Sequence, residues 1–332
     1  MGVENYNNEV AKILADTEFE KEVVFDISFS PNSEEFLKTF EFYRETLSIS
    51  KKYDLAQSYI FFLNDTSVNA KAGISNGNNM ICINSGLQIW QIQNFLERDE
   101  IDMILKHPFA NLYQFLDNPI NKLMYQLCTH FTFYHELAHL IQKSKNLKDY
   151  ISERPIEITE FDLTLHKLEI DADSFSAISI AAHLQQYGLK MMGDNISSER
   201  MESLIEVFCA GLLLYLISFD STKLEMYYEQ NTHPHPIVRI LNVILTITNY
   251  LQQSPKLKEK NVIIKHFDVL QKSIDIAEIL EKEVFKKSDT EKFLSIINDE
   301  KKQIVEYLKK IREFVLKDHI LAVDKWNEEV SQ

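Results

Sequence analysis

Two histidines and a glutamate stand close together in the segment from His135 to His139, which reads H-E-L-A-H. The segment lies in an apolar run, from Phe131 to Ile141, that predicts a helix. Because residues four apart share one face of a helix, both imidazoles can point at one metal ion. Glu136 directly follows the first histidine, so its carboxylate can reach a water molecule at that metal. Two neutral imidazoles at this spacing suit Zn²⁺, and the glutamate is then the expected general base of a hydrolysis reaction.

An apolar helix without a metal is the alternative interpretation of this segment, with both histidines hydrogen-bonded to neighbouring groups. The residues around the motif favour the metal, because they would bury the helix almost all round: Phe131, Phe133, Tyr134, Leu137, Leu140 and Ile141. Burying two imidazoles and a carboxylate costs free energy unless another group pairs them. A zinc ion would be such a group.

A second cluster of acidic residues follows between residues 166 and 173, at the start of a predicted helix. Glu169 and Asp173 are four residues apart and share a helix face. We expect Glu169 to be the third metal ligand, with His166 and Glu160 as the competing candidates. Asp173 is expected to accept the outer N–H of His135 or His139, which would fix the orientation of that ring. The alternative is a solvated acidic helix start, where carboxylates favour the positive end of the helix dipole.

A third pattern combines two histidines, two prolines and an arginine between Thr232 and Arg239. The prolines hold the chain extended ahead of a helix that is predicted to begin near Pro236. A rigid loop of this kind can present His233 and Arg239 to the negative oxygen that develops during hydrolysis of a carbonyl compound. The alternative is a simple helix start, where His-Pro pairs are common.

Four segments, in this order along the chain, resemble the HtpX-type and CAAX-prenyl-protease-type zinc metallopeptidases, which are gluzincins. The first segment, from Val68 to Leu87, is similar to the family's edge strand, and the second is the H-E-L-A-H motif. The third, from Glu169 to Asp173, matches E-x-x-A-D, and the fourth begins at His233 and matches H-P-x-x-x-x-R. The resemblance covers about residues 58 to 245.

The resemblance implies one Zn²⁺ ion per chain with three protein ligands: His135, His139 and Glu169. It implies Glu136 as the general base and Asp173 as the residue that orients a ligand. It also implies that His233 and Arg239 stand near the metal, as transition-state or gating groups.

Two features distinguish this chain from that family. The stretch between His139 and Glu169 is shorter, and the membrane spans typical of the HtpX and CAAX enzymes are not evident. Two other groups of intracellular zincins are therefore further candidates. The ImmA/IrrE-type regulatory peptidases have a similarly short stretch, and the Lit-type phage-exclusion peptidases are soluble H-E-x-x-H proteins.

The turn-forming segment from Ser75 to Asn79 contains Asn-Gly and predicts a hairpin between strands at 68–74 and 80–84. A sheet edge beside the metal would offer backbone groups to an extended peptide. The predicted substrate-binding residues lie on the second strand of this hairpin: Ile81, Cys82, Ile83 and Asn84. The alternative is an ordinary hairpin whose edge is covered by a loop.

The hydrophobic periodicity predicts a mainly α protein with a small β-sheet (α+β). Its zincin-like architecture would have an active-site helix from near Asn121, an edge hairpin and a C-terminal helical extension. Strands are predicted at 23–29 and 58–63, and the apolar run 204–219 is predicted to be a buried core helix. The predicted domains are an N-terminal prefix at 1–57, a zinc metallopeptidase domain at 58–254 and a charged helical region at 255–332.

Composition limits the function classes. The chain has 332 residues, of which 45% are hydrophobic, which is sufficient for a sizeable core. The formal net charge of −15 disfavours nucleic-acid partners and anionic membranes. Three widely spaced cysteines fit a reducing compartment, and no signal peptide or transmembrane segment is evident, so a cytoplasmic location is expected. The sequence leaves the oligomeric state open.

These patterns together favour a soluble zinc-dependent endopeptidase that acts on a protein or peptide substrate. In this hypothesis a metal-activated water attacks the peptide bond with Glu136 as general base. The alternative is a latent or regulatory zincin-fold protein, related to stress or phage defence, whose cleft is gated by a partner or by the C-terminal helices.

Overall fold

The computed structural model describes residues 2–49, 53, 55, 57–143, 151–152, 161–219, 225–287 and 289–316. These residues are mainly helical with one small β-sheet, as the sequence predicts. The helices are α1 (Val3–Asp16), α2 (Ser33–Ile49), α3 (Ser85–Gln91), α4 (Asp99–Lys106), α5 (Ala110–Tyr113), α6 (Ile120–Lys143), α7 (Leu163–Met192), α8 (Ser198–Ser218), α9 (Pro236–Gln253), α10 (Pro255–Glu259), α11 (His266–Leu280) and α12 (Asp289–Glu313). The strands are β1 (Ser58–Leu63), β2 (Ala70–Ser75), β3 (Asn78–Asn84) and β4 (Ile151–Ser152).

The chain divides into two compact units, each built from segments that are distant in sequence. The described residues of the first unit fall within Met1–Trp90, Thr132–Pro155 and Val315–Gln332. Those of the second unit fall within Gln91–Phe131 and Ile156–Phe314. The domain boundaries predicted after residues 57 and 254 lie inside these units.

The sheet belongs to the first unit, with the strand order β1, β3, β2, β4. β1 pairs in parallel with β3, and β2 pairs antiparallel with β3 as a hairpin. The hairpin turn places Asn76 at a φ of 47° and Gly77 at a φ of 77°. A two-residue turn of this type needs the left-handed region at both positions, which Asn-Gly tolerates. The predicted strand at 58–63 and the predicted hairpin are therefore confirmed.

β3 lies inside the sheet rather than at its edge. It pairs with β1 from Asn79 to Asn84 and with β2 from Asn78 to Ile83. Its backbone groups are therefore engaged in two ladders, and an added peptide strand has no free edge to pair with there. The prediction that β3 binds substrate as an edge strand is wrong for all four residues, which are also buried: Ile81, Cys82, Ile83 and Asn84.

The alternating residues at 23–29 do not form the predicted strand. Two short 3₁₀ turns occupy this stretch, Lys21–Val23 and Ile27–Phe29, and Val24 makes only an isolated bridge. The carboxylate of Asp26 accepts the backbone N–H of Ser28 at 3.0 Å and its hydroxyl at 2.5 Å. This local side-chain bonding competes with extended pairing and favours a turn.

Helix α6 carries the H-E-L-A-H motif and begins at Ile120, close to the predicted start. Its first N–H donates to Asp102 Oδ1 at 2.8 Å, so a side chain of α4 satisfies an amide that has no partner within the helix. Ser176 of α7 donates its hydroxyl to the carbonyl of Phe131 at 3.1 Å. The part of α6 that belongs to the second unit runs from Ile120 to Phe131, and these two bonds hold its two ends.

Helix α8 is the buried core helix predicted at 204–219, and its burial confirms that prediction. Among the described helices, it alone is long and apolar enough to cross a membrane, with a mean hydropathy of 1.7. Its most apolar window is 83% buried inside the protein, as expected for a core helix.

Gly86 provides a test of the close approach between the start of α3 and the loop that precedes β2. A Cβ atom at Gly86 would overlap the carbonyl group of Thr66, which is backbone and cannot rotate away. We expect Gly86→Ala to lower the free energy of unfolding by about 1–3 kcal/mol. Chemical denaturation measures this change. Gly2→Ala is the control, because nothing lies within 4 Å of its added Cβ. Equal stability of the two variants would contradict the packing at Gly86.

Candidate metal centre

His135 and His139 lie one turn apart on α6 and are both buried. Their Nε2 atoms are 3.0 Å apart. Two nitrogens that bind one zinc ion tetrahedrally, each at about 2.1 Å, are about 3.4 Å apart. The other ring nitrogen of His139, Nδ1, lies 2.8 Å from Gln142 Oε1 and is therefore assigned as the protonated nitrogen. This tautomer leaves the Nε2 lone pair of His139 available to a metal.

The predicted third ligand joins this pair. The ligand atoms of His135, His139 and Glu169 all lie within 4.8 Å of one another, and all three residues are buried. Glu169 comes from α7, so the group combines two helices that are separate in sequence. Such a group can bind a metal ion. Among the described residues it is the one cluster of three or more histidine, cysteine or acidic side chains that meets this distance criterion.

The competing ligand His166 is not part of the group. Its Nε2 contacts the carbonyls of Gln230 and Asn231, at 3.0 and 3.2 Å, and its Nδ1 contacts the hydroxyl of Tyr307 at 2.9 Å. Both ring nitrogens are therefore engaged within the protein. The other competing ligand, Glu160, lies outside the described residues.

The carboxylate of Glu169 has two basic neighbours in the second unit. His233 Nε2 lies 3.3 Å from Glu169 Oε2, and Arg239 Nη2 lies 4.0 Å from the same oxygen. All three side chains are at most 5% exposed. A buried carboxylate needs such partners, because the charge loses its hydration.

Asp173 is paired with a buried arginine. Its two carboxylate oxygens accept the Nε and Nη2 hydrogens of Arg239, at 2.9 and 2.8 Å. His139 directs its outer nitrogen to Gln142, so Asp173 does not orient His139, and the alternative that it orients His135 stays a prediction. The physical reason for the pairing with Arg239 is the match between a planar guanidinium and a carboxylate, which gives two charge-assisted bonds. Gln142 was missed, although its position three residues after His139 places it on the same helix face.

Charge gives a second test of whether the residues present fit a metal ion. The two carboxyl groups next to Arg239, those of Glu169 and Asp173, are at most 1% exposed. Arg239 itself is 4% exposed. With all three ionised, their net charge is −1. A metal cation offsets that charge, and histidine nitrogens and a carboxylate oxygen suit such an ion. The donor set and the charge therefore both fit.

The loop before α9 positions His233. Asn231 has a φ of 58°, a left-handed conformation in which the chain turns toward His233. Thr232 Oγ1 then contacts His233 Nδ1 at 2.9 Å. His235 caps α9, since its Nδ1 accepts the N–H of Ile237 at 3.2 Å, and Pro236 occupies the first helical turn. Burial lowers the pKa of His235 to about 4, so this ring is neutral near pH 7 and keeps its acceptor nitrogen.

No family model, curated protein or solved structure matches this chain. The likeness to the HtpX-type and CAAX-type peptidases accordingly depends on the four sequence segments alone. The described residues themselves provide a buried His-His-Glu donor group with an adjacent glutamate and a buried arginine.

Metal binding is the first property to measure. We expect His135→Ala and Glu169→Gln each to weaken Zn²⁺ affinity by at least about 100-fold, because each removes a direct ligand. We also expect Zn²⁺ to raise the melting temperature of the wild type and not that of either variant. Competition titration and elemental analysis measure binding. His107→Ala is the matched control, since His107 is exposed. Stoichiometric metal in both ligand variants would refute the centre.

The low pKa of His235 predicts a pH dependence of stability. The unfolded chain protonates this histidine below about pH 6.5, whereas the folded chain does so only below about pH 4. The unfolded state therefore binds more protons between these values, and the free energy of unfolding falls as the pH falls through this window. His235→Asn keeps a side-chain acceptor for the helix cap and should remove about 2–3 kcal/mol of that fall. Urea unfolding at pH 7 and pH 4.5 tests this, with His107→Asn as control. Identical pH slopes for the wild type and His235→Asn would contradict it.

Proposed function

We propose that this chain is a zinc-dependent endopeptidase of the gluzincin class, with α6 as its active-site helix. The observation that carries the proposal is the buried group of His135, His139 and Glu169, whose ligand atoms lie within 4.8 Å of one another. Two imidazole nitrogens and one carboxylate oxygen form a donor set of catalytic zinc sites, which keep a fourth position for water. The four-segment sequence resemblance supports the same class.

A bound zinc ion supplies a Lewis acid and lowers the pKa of its water toward about 7. The protein supplies the base. Glu136 follows His135 on α6, and its side chain is fully buried. In the proposed reaction its carboxylate takes the proton of the attacking water and delivers that proton to the leaving amine of the peptide.

His233 and Arg239 receive different roles in this proposal. Arg239 donates to both oxygens of Asp173 and lies 4.0 Å from Glu169 Oε2, so we assign it to holding the ligand and balancing its charge. His233 contacts Glu169 Oε2 through Nε2, and its other nitrogen contacts a hydroxyl. We assign to His233 the stabilisation of negative charge on the carbonyl oxygen of the substrate.

The proposed substrate is a protein or peptide in extended conformation. A peptide of this kind binds by adding a strand to a sheet edge. β3 lies between β1 and β2, and β2 lies between β3 and β4. Neither strand of the hairpin is therefore an edge strand, and we assign substrate binding to neither of them.

A latent or regulatory zincin-fold protein is the second candidate function. It is favoured by the polar bonds that join α12 to the chain just before His233, such as the bond from the Tyr228 hydroxyl to Glu300 Oε2 at 2.7 Å. Such a protein would bind zinc without turnover until a partner displaces α12. An assay with and without chelator separates the two functions.

The test of the proposed function is Glu136→Gln. We expect this variant to keep its zinc and to lose peptide hydrolysis by at least about 10²- to 10⁴-fold, because an amide cannot act as the base. A peptide-library assay and elemental analysis measure the two properties. Glu100→Gln, at an exposed position on α4, is the matched control and should retain full activity. Full activity in Glu136→Gln would exclude the assigned mechanism. Zinc without turnover in the wild type would favour the latent protein.

A further inference from the structure

We propose that His166 is a positioning residue of the metal centre, and that α12 holds it in place through Tyr307. In this arrangement α12 is a regulatory element, because its displacement would release the chain that carries His233. The inference rests on the proposed function and deepens it, since it names what controls the same site.

His166 lies one helical turn before Glu169 on α7 and is fully buried. Its Nε2 atom faces two carbonyl oxygens, those of Gln230 at 3.0 Å and Asn231 at 3.2 Å. A carbonyl oxygen only accepts, so Nε2 carries the hydrogen. Burial lowers the pKa of His166, which favours the neutral ring. The ring is therefore the Nε2–H tautomer, with an acceptor at Nδ1.

Tyr307 of α12 completes the hydrogen bonding of this ring. Its hydroxyl lies 2.9 Å from His166 Nδ1 and donates to it, because that nitrogen bears a lone pair. Tyr307 is 5% exposed, and its ring also packs edge-on against Tyr228, with ring centroids 5.3 Å apart. The two carbonyls therefore fix the tautomer of His166, and one side chain of α12 holds the orientation of its ring.

The two carbonyls bound by His166 immediately precede the His233 loop. Asn231 has a left-handed φ of 58°, so the chain direction at this point depends on how its neighbours are held. From there Thr232 contacts His233 Nδ1 at 2.9 Å, and His233 Nε2 lies 3.3 Å from Glu169 Oε2. The contacts form a closed ring that begins on α7 at His166 and returns to α7 at Glu169.

Further bonds attach α12 to α7 and α9. Arg312 Nη2 donates to Asn242 Oδ1 at 2.7 Å, and Lys167 Nζ donates to the carbonyl of Arg312 at 3.2 Å. Asn242 in turn donates to the carbonyl of Ile170, the residue after Glu169, at 3.2 Å. These bonds connect the end of α12 to the backbone beside the third ligand. Rearrangement of α12 would therefore be transmitted to Glu169 as well as to His233.

The experiment uses Co²⁺ in place of Zn²⁺ in the full-length protein, because the visible absorption of Co²⁺ reports its coordination geometry. We expect Tyr307→Phe and His166→Leu to change the visible spectrum and to weaken Co²⁺ binding by about 10-fold, the lower end of the range for groups that act behind a ligand. His166→Gln offers an amide N–H and a carbonyl oxygen, and it should restore the wild-type spectrum.

A structural role alone predicts a different result. Tyr187 lies on the same helix as His166, α7, and its hydroxyl donates to Asp117. Tyr187→Phe removes that bond, so it is the matched control and should leave the spectrum unchanged. A wild-type spectrum and affinity in Tyr307→Phe would overturn the positioning role of α12, even if His166→Leu fails to fold. Wild-type Co²⁺ binding by His135→Ala would instead refute the metal centre, so the two failures are distinguishable.

Discussion

The carboxylate of Glu169 is the group on which the arrangement of the second unit depends. A buried charge is tolerated only where partners replace its lost hydration. Here His233 and Arg239 approach the same oxygen, and Arg239 is itself held by two bonds to Asp173. Helices α7 and α9 are thereby locked by polar contacts in addition to their apolar packing. Protein contacts alone thus position the carboxylate that we propose as the third ligand.

Metal binding and folding are coupled in a site of this kind. The described residues near the centre combine more buried negative than positive charge, and a metal cation offsets that imbalance. Helical spacing already brings the Nε2 atoms of the two histidines to 3.0 Å, about 0.4 Å short of the separation that one tetrahedral zinc ion requires. In the proposed centre, a bound metal would add to the stability of the folded state.

The elements were predictable wherever local pattern decides structure. The Asn-Gly turn at Asn76 and Gly77, the aromatic strand β1 and the apolar helix α8 each have a local physical cause. The order of the strands was not predictable. β1 pairs with β3 and so makes β3 an interior strand. This pairing is non-local, and the sequence of the hairpin does not indicate it. At 23–29 a local contact decided against the predicted strand. The hydrogen bonds of the Asp26 side chain favour a turn there, although polar and apolar residues alternate as in a strand.

By itself the sequence determined the pair His135 and His139, because a spacing of four residues fixes their geometry on any helix. It narrowed the third ligand to a few acidic or histidine side chains and could not choose among them by spacing. Tertiary structure decided that choice, bringing Glu169 to the pair and turning His166 toward Tyr307. The tertiary structure likewise pairs Asp173 with Arg239. The reason is that contacts between distant segments depend on how helices pack, which no local pattern encodes.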